Sequence, residues 1–228
     1  MQIKGLQKTS LIDYPDKICS TVFLPGCNLK CRFCHNSDLV LNADSLATIE
    51  EKDFFSHLEK RKGKIDAVTV CGGEPTIHPE LPEFIKKIKD LGFSIKLDTN
   101  GTNPEMLRFL LDKSLLDYIA MDVKAPKNKY QEITQSNEIH KIQKSIEIIK
   151  DSGIDYEFRT TILPFFTQKD MKEILKLVAP CNKYILQQFL PKTTIDQNYQ
   201  KFKATSKEKL NNFKKIALKQ INKVEIRW

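Results

Sequence analysis

The feature that most constrains this chain is the alternation of short apolar, β-branched runs with longer amphipathic stretches. Residues 18–24, 67–71, 94–98, 118–123, 155–162 and 184–190 have the length and composition of strands. Residues 48–60, 80–91, 103–111, 141–152, 168–179 and 206–221 repeat apolar side chains at helical spacing. Gly92 and Gly153 stand where helix C-termini favour a left-handed residue, Asn103-Pro104 is a cap and first-turn pair, and Pro180 ends a helix. Near-continuous apolar strands separated by helices predict an α/β fold with a parallel sheet, either doubly wound or closed toward a barrel. In both, ligands collect at the C-terminal ends of the strands, so the residues after each strand are the candidate site.

At 228 residues one domain suffices, and a single domain over 1–228 is expected, with its core at about 15–192 and a basic helix and closing strand within 201–228. Hydrophobic residues at 40% and charged residues at 29% suit a packed core rather than disorder. No apolar run reaches the length of a bilayer span, and the opening MQIKGLQKTSLIDYPDK lacks the apolar stretch of a secretory leader, so a cytoplasmic protein without a membrane partner is expected.

In that compartment six cysteines point to metal rather than disulfides. Cys27, Cys31 and Cys34 are spaced by three and then two residues directly after the first predicted strand, whereas Cys19, Cys71 and Cys181 stand apart. Three thiolates in one loop can serve one iron–sulfur cluster and leave one iron without a protein ligand, open to a substrate. The alternative on spacing alone is a structural zinc site in a basic interaction module, but adjacent Cys34 and His35 would ligate one tetrahedral ion together only with difficulty. The second predicted strand ends in CGGEP, where Gly72 and Gly73 let backbone approach a ligand closely before Glu74 and Pro75.

The net charge of +8 is concentrated near the end: between Lys201 and Lys223 eight lysines face the single acid Glu208. That clustering does not suit nucleic acid; it fits a solvated helix face or a dock for an acidic protein.

CNLKCRFCHN together with CGGEP resembles the cluster loop and methionine-binding turn of radical S-adenosylmethionine (radical SAM) enzymes. GLQKTSLIDYPDK, LDTNG, YIAMDVKAP, DYEFRTTILP and YILQQFLP extend the resemblance to the anaerobic ribonucleoside-triphosphate reductase activating proteins and, more loosely, to pyruvate formate-lyase activating enzyme, thinning after Lys192. The resemblance implies a partial TIM-like (β/α)6 barrel carrying one 4Fe-4S cluster on Cys27, Cys31 and Cys34. It also implies S-adenosylmethionine on the free iron and the backbone of Gly72, Gly73 and Glu74, and reduction by a flavodoxin or ferredoxin. The 5′-deoxyadenosyl radical so formed would take hydrogen from a backbone glycine of a glycyl-radical enzyme, namely the anaerobic ribonucleotide reductase. No side chain is expected to be catalytic beyond the cluster and cosubstrate.

By the same resemblance Asp98 and Asp122 are candidates for a ribose or a monovalent cation, and Lys124 for a carboxylate partner. Asn100, Arg159 and Gln188 are further pocket candidates, being polar residues at strand ends or in apolar runs. His35 and Asn36 are read as shaping the cluster loop, and His57, His78 and His140 as ordinary surface or loop histidines. A small-molecule substrate such as a nucleoside is the alternative within radical chemistry.

Overall fold

A computed structural model describes all residues from Met1 to Trp228. The strands are β1 (Gly5–Ser10), β2 (Cys19–Leu24), β3 (Ala67–Gly72), β4 (Ser94–Thr99), β5 (Tyr118–Asp122), β6 (Asp155–Ile162), β7 (Tyr184–Gln188) and β8 (Val224–Arg227). The helices are α1 (Ser37–Leu41), α2 (Glu51–Arg61), α3 (Leu81–Asp90), α4 (Pro104–Asp112), α5 (Tyr130–Thr134), α6 (Ile139–Lys150), α7 (Gln168–Val178) and α8 (Lys207–Ala217). Each strand from β2 to β7 is followed in the chain by helix, which gives the six expected β/α units.

The chain forms two compact units. The first comprises Met1–Asn28, Asp38–Thr99 and Glu105–Ile119; the second comprises Leu29–Ser37, Asn100–Pro104 and Ala120–Trp228. In the first, β2, β3 and β4 are parallel, with Leu24 beside Gly72 and Val70 beside Leu97, so their C-terminal ends share one edge. Four of six residues are buried in β3 and five of six in β2, as strands covered on both faces require. Helix α3 buries Leu81, Phe84, Ile85 and Ile88, a stripe at helical spacing, and Gly92 follows it at φ +92°.

In the second unit β6, β7 and β8 are parallel, with Ile162 beside Gln188. Helix α7 starts in a capping box: Thr167 Oγ1 accepts from Asp170 N and Asp170 Oδ2 accepts from Thr167 N at 2.8 Å. The buried Glu157 of β6 pairs with Arg227 of β8 at 2.7 Å, so the closing strand is held by charge as well as by its ladder.

The wholly parallel sheet expected from the pattern is corrected at one edge, where β1 pairs antiparallel with β2. GLQKTS has three exposed residues of six and no apolar run, so hydropathy gave no strand signal there. The short helices α1 and α5, five residues each, were also unexpected, being too short for a periodicity to register. No helix is long and apolar enough to cross a membrane.

Candidate active site

In the first unit the chain leaves β2 as Leu24-Pro25-Gly26-Cys27, and three consecutive carbonyls of that exit are engaged. Leu24 O accepts from Gly73 N at 2.9 Å, Pro25 O accepts from His78 Nε2 at 2.8 Å, and Gly26 O accepts from Glu74 N at 2.8 Å. Gly26 N donates to Leu39 O at 2.8 Å. A carbonyl oxygen only accepts, so Nε2 of His78 carries the proton. Cys27 therefore starts from a backbone clamped by the GGEPTIH segment.

The clamp explains the doubled glycine. Gly72 adopts φ +132°, and a Cβ on it would overlap the Leu24 backbone; a Cβ on Gly73 would overlap Gly26 O and lie 3.3 Å from Cys27 Cβ. Close approach at these glycines, expected for a ligand, is occupied by the β2 exit. Glu74 is fully buried, and its Oε1 accepts from Thr76 N (3.1 Å), Thr76 Oγ1 (2.5 Å) and Thr99 Oγ1 (2.7 Å). Its carboxylate braces the turn to the end of β4, leaving its backbone as the part suited to a ligand. Asp98, also on β4, forms an ion pair with the buried Lys96.

In the second unit Cys31 is buried and Cys34 half-buried, and Cys34 N donates to Cys31 O at 2.9 Å. The segment runs along the end of α5, with Lys30 N donating to Thr134 O (3.2 Å) and Arg32 N to Ile133 O (3.0 Å). At the end of β5, Asp122 accepts from Arg159 Nε and from Lys124 Nζ, at 2.8 and 2.7 Å. Burial by itself would raise the Asp122 pKa, but Arg159 and Lys124 outweigh it and hold the carboxyl well below the usual range. Burial likewise opposes the Lys124 charge, yet Asp122, Cys31 and Cys34 outweigh it and push the lysine above its ordinary value. Burial pushes the Cys34 thiol up, while Lys124 and the backbone of Asn36 draw it back.

The predicted residues thus fall in two groups. Asp122, Lys124 and Arg159 form one ionic triad, the local pairing of Asp122 with Lys124 being part of it. Asn100 is turned to its own loop, its Oδ1 accepting from Thr102 N (2.9 Å) and Thr102 Oγ1 (2.6 Å). Gln188 Nε2 donates to Thr205 O at 2.8 Å. Sequence reasoning missed His78, Thr76 and Arg32. His78 is corrected from an ordinary loop histidine to a half-buried brace, and His57 is half-buried with Nε2 3.0 Å from Ser20 Oγ, whereas His140 is exposed as expected. The only signal for His78 was its position four residues after Glu74.

The donor set suits an iron–sulfur group: none of the six cysteines is in a disulfide, and the positive charge of Lys124 near Cys31 and Cys34 partly offsets the burial that raises the Cys34 thiol. The side chains bring no group of three His, Cys, Asp or Glu to a single metal-ion point. A four-iron cluster does not ask for one, because it takes its thiolates on separate irons.

The comparisons with known proteins point the same way. Residues 21–178 match the model of the radical SAM superfamily. The chain is 37% identical to a Methanocaldococcus jannaschii protein that carries the provisional name glycyl-radical enzyme activating enzyme, over 99% of this chain and 95% of that protein. A second protein of that organism, provisionally named in the same words, is 30% identical over 96% of this chain and 84% of its own length. The crystal structure of Streptococcus suis SuiB bound to precursor peptide SuiA superposes with a TM-score of 0.65 at 16% identity, over 91% of this chain and 48% of that one, a likeness of fold alone. That fold is the α/β, partial TIM-barrel architecture expected from the resemblance, and the family implies a 4Fe-4S cluster and S-adenosylmethionine. With the strand-end cysteines, the clamped glycine turn and a family match over most of its length, the chain belongs to the radical SAM superfamily and is an enzyme of that class.

Proposed function

We propose that the enzyme is a glycyl-radical-enzyme activase working in the cytoplasm, with Cys27, Cys31 and Cys34 as the cluster ligands and the anaerobic ribonucleotide reductase as its partner. The observation that carries this reading is the 37% identity, sustained over 99% of the chain, to a protein named for that activity. When bound, the cluster and S-adenosylmethionine supply reductive cleavage of the sulfonium and a carbon-centred hydrogen abstractor.

The chain's own residues hold and shield that chemistry. The clamp of Gly73, Glu74 and His78 on the β2 exit fixes the approach to Cys27, and the backbone of Gly72, Gly73 and Glu74 offers polar groups to the methionine ammonium. The Asp122, Lys124 and Arg159 triad carries a net positive charge that suits an anionic group of the cosubstrate. Asp98, Asn100 and Gln188 complete the candidate set for the ribose and a monovalent cation. A backbone glycine suits abstraction because no side chain blocks its Cα. The electron comes from a flavodoxin or ferredoxin.

The test is anaerobic reconstitution, reduction and mixing with S-adenosylmethionine and the candidate reductase. A glycine-centred electron paramagnetic resonance signal with one 5′-deoxyadenosine per radical is expected. Deoxyadenosine release without that signal, with several glycyl-radical enzymes tried, would move the substrate to a small molecule.

A further inference from the structure

The tract from Lys192 to Lys203 offered few recognisable landmarks in sequence, yet it is fastened to the cysteine-bearing segment of the second unit. Arg32, between Cys31 and Cys34, is the joint. Its Nε donates to Glu132 O at 3.0 Å, its NH1 pairs with Asp196 Oδ2 at 2.8 Å, and its carbonyl accepts from Asp196 N at 3.0 Å. His35 Nδ1 lies 3.1 Å from Thr193 O. Asp196 also accepts from Asn198 N at 2.9 Å, and Asn198 Oδ1 accepts from Lys201 Nζ at 3.0 Å, so the order extends through the turn. Phe202 then packs at 5.5 Å on Phe165 and on Tyr199, and remains 39% exposed.

Basic groups outnumber acids on this surface, where Glu132 and Asp196 lie with Arg32 near Tyr199. Asp196 is the only acid between residues 192 and 203, and Arg32 already pairs with it. Lys192, Lys201 and Lys203 are exposed, as is Lys30 on the cysteine-bearing segment itself. The chain has a single cysteine cluster motif, and on the radical SAM reading the centre it holds takes up one electron from a donor outside that motif. Redox encounters are small, transient and steered by charge, which exposed lysines and one partly exposed aromatic ring in the same tract fit better than a large apolar interface would.

We infer that the exposed Lys30, Lys192, Lys201 and Lys203, with Phe202 of the same fastened tract, form the dock for an acidic one-electron carrier protein that reduces the centre held by the cysteine segment. This rests on the radical SAM reading and deepens it by placing the donor's surface. One electron leaves the carrier, which is oxidised, and one enters the iron–sulfur centre, which is reduced; no proton or group moves in that step. Arg32 acts as a positioning residue, keeping the basic tract beside the cysteines.

The test compares the rate of 5′-deoxyadenosine formation driven by a purified acidic ferredoxin with that driven by dithionite, in the absence of any substrate protein. In the combined Lys192→Glu, Lys201→Glu, Lys203→Glu variant the ferredoxin-to-dithionite ratio falls roughly tenfold at low salt, and the deficit shrinks to about twofold near 0.5 M salt. Lys192→Glu alone moves the ratio the same way by less, and ferredoxin affinity measured by calorimetric titration falls in the same order. Lys215→Glu, on α8, keeps the wild-type ratio. A ratio within twofold of wild type in the triple variant overturns the inference, as does an effect confined to glycyl-radical formation, which would assign the face to the substrate protein. Failure of the wild type to release deoxyadenosine even with dithionite would instead sink the radical SAM reading.

Discussion

Gly73→Ala tests the clamp on the β2 exit directly. The added methyl would overlap Gly26 O and stand 3.3 Å from Cys27 Cβ, and the obstructing atom is backbone, which cannot swing aside as a side chain does. Restoring a contact of about 3.5 Å requires β2 and β3 to part by more than about 1 Å where they leave the sheet. That movement breaks Gly73 N to Leu24 O and Glu74 N to Gly26 O, now 2.9 and 2.8 Å. Two net hydrogen bonds at about 1 kcal/mol each and overpacking of about 1–3 kcal/mol give a loss of about 3–5 kcal/mol. Denaturant unfolding of the anaerobic apoprotein reads this loss, and iron and sulfide content after reconstitution reads the displacement of Cys27. A variant with wild-type midpoint and full iron loading would refute the steric reasoning, because no local relaxation could then have been needed.

Other consequences can be measured with the same protein. His78→Ala removes the donor to Pro25 O and is expected to cost about 1 kcal/mol and lower iron loading, with His78→Gln recovering part of both; equal loading in all three would leave the brace without a role. Asp122→Asn leaves Arg159 and Lys124 facing each other; the side chains of Asp122 and Lys124 keep 19% and 21% exposure, so the expected loss is about 2–3 kcal/mol, below the value for a fully buried pair, and a neutral result would contradict the triad. Burial opposes ionisation of Asp170, but Lys129 and Thr167 outweigh it and hold its pKa below the ordinary value. A depressed folded-state pKa means its stabilisation is present above the unfolded value and fades as pH falls through the folded one. Unfolding midpoints of wild type and Asp170→Asn should therefore differ near neutrality and draw together as pH falls below the ordinary aspartate range; parallel curves would exclude the linkage.

The superfamily was legible in sequence through a resemblance carried by short motifs, whose signals are local. A three-cysteine spacing and a double glycine after apolar runs need no partner to be seen, and helical and strand periodicities repeat within a few residues. The six β/α units and the closing strand followed from that pattern, while β1 escaped it because an exposed edge strand has no apolar alternation to display. What each polar residue does was decided only in three dimensions. Glu74 turned out to brace Thr76 and Thr99, and Asp122 to bind two cations rather than stand open. His78 reaches back 53 positions to Pro25, and Arg32 reaches forward 164 positions to Asp196. Local periodicity encodes which elements form, but a hydrogen bond between residues so far apart exists only once those elements have packed, and its geometry is a property of the packing rather than of either short stretch of chain.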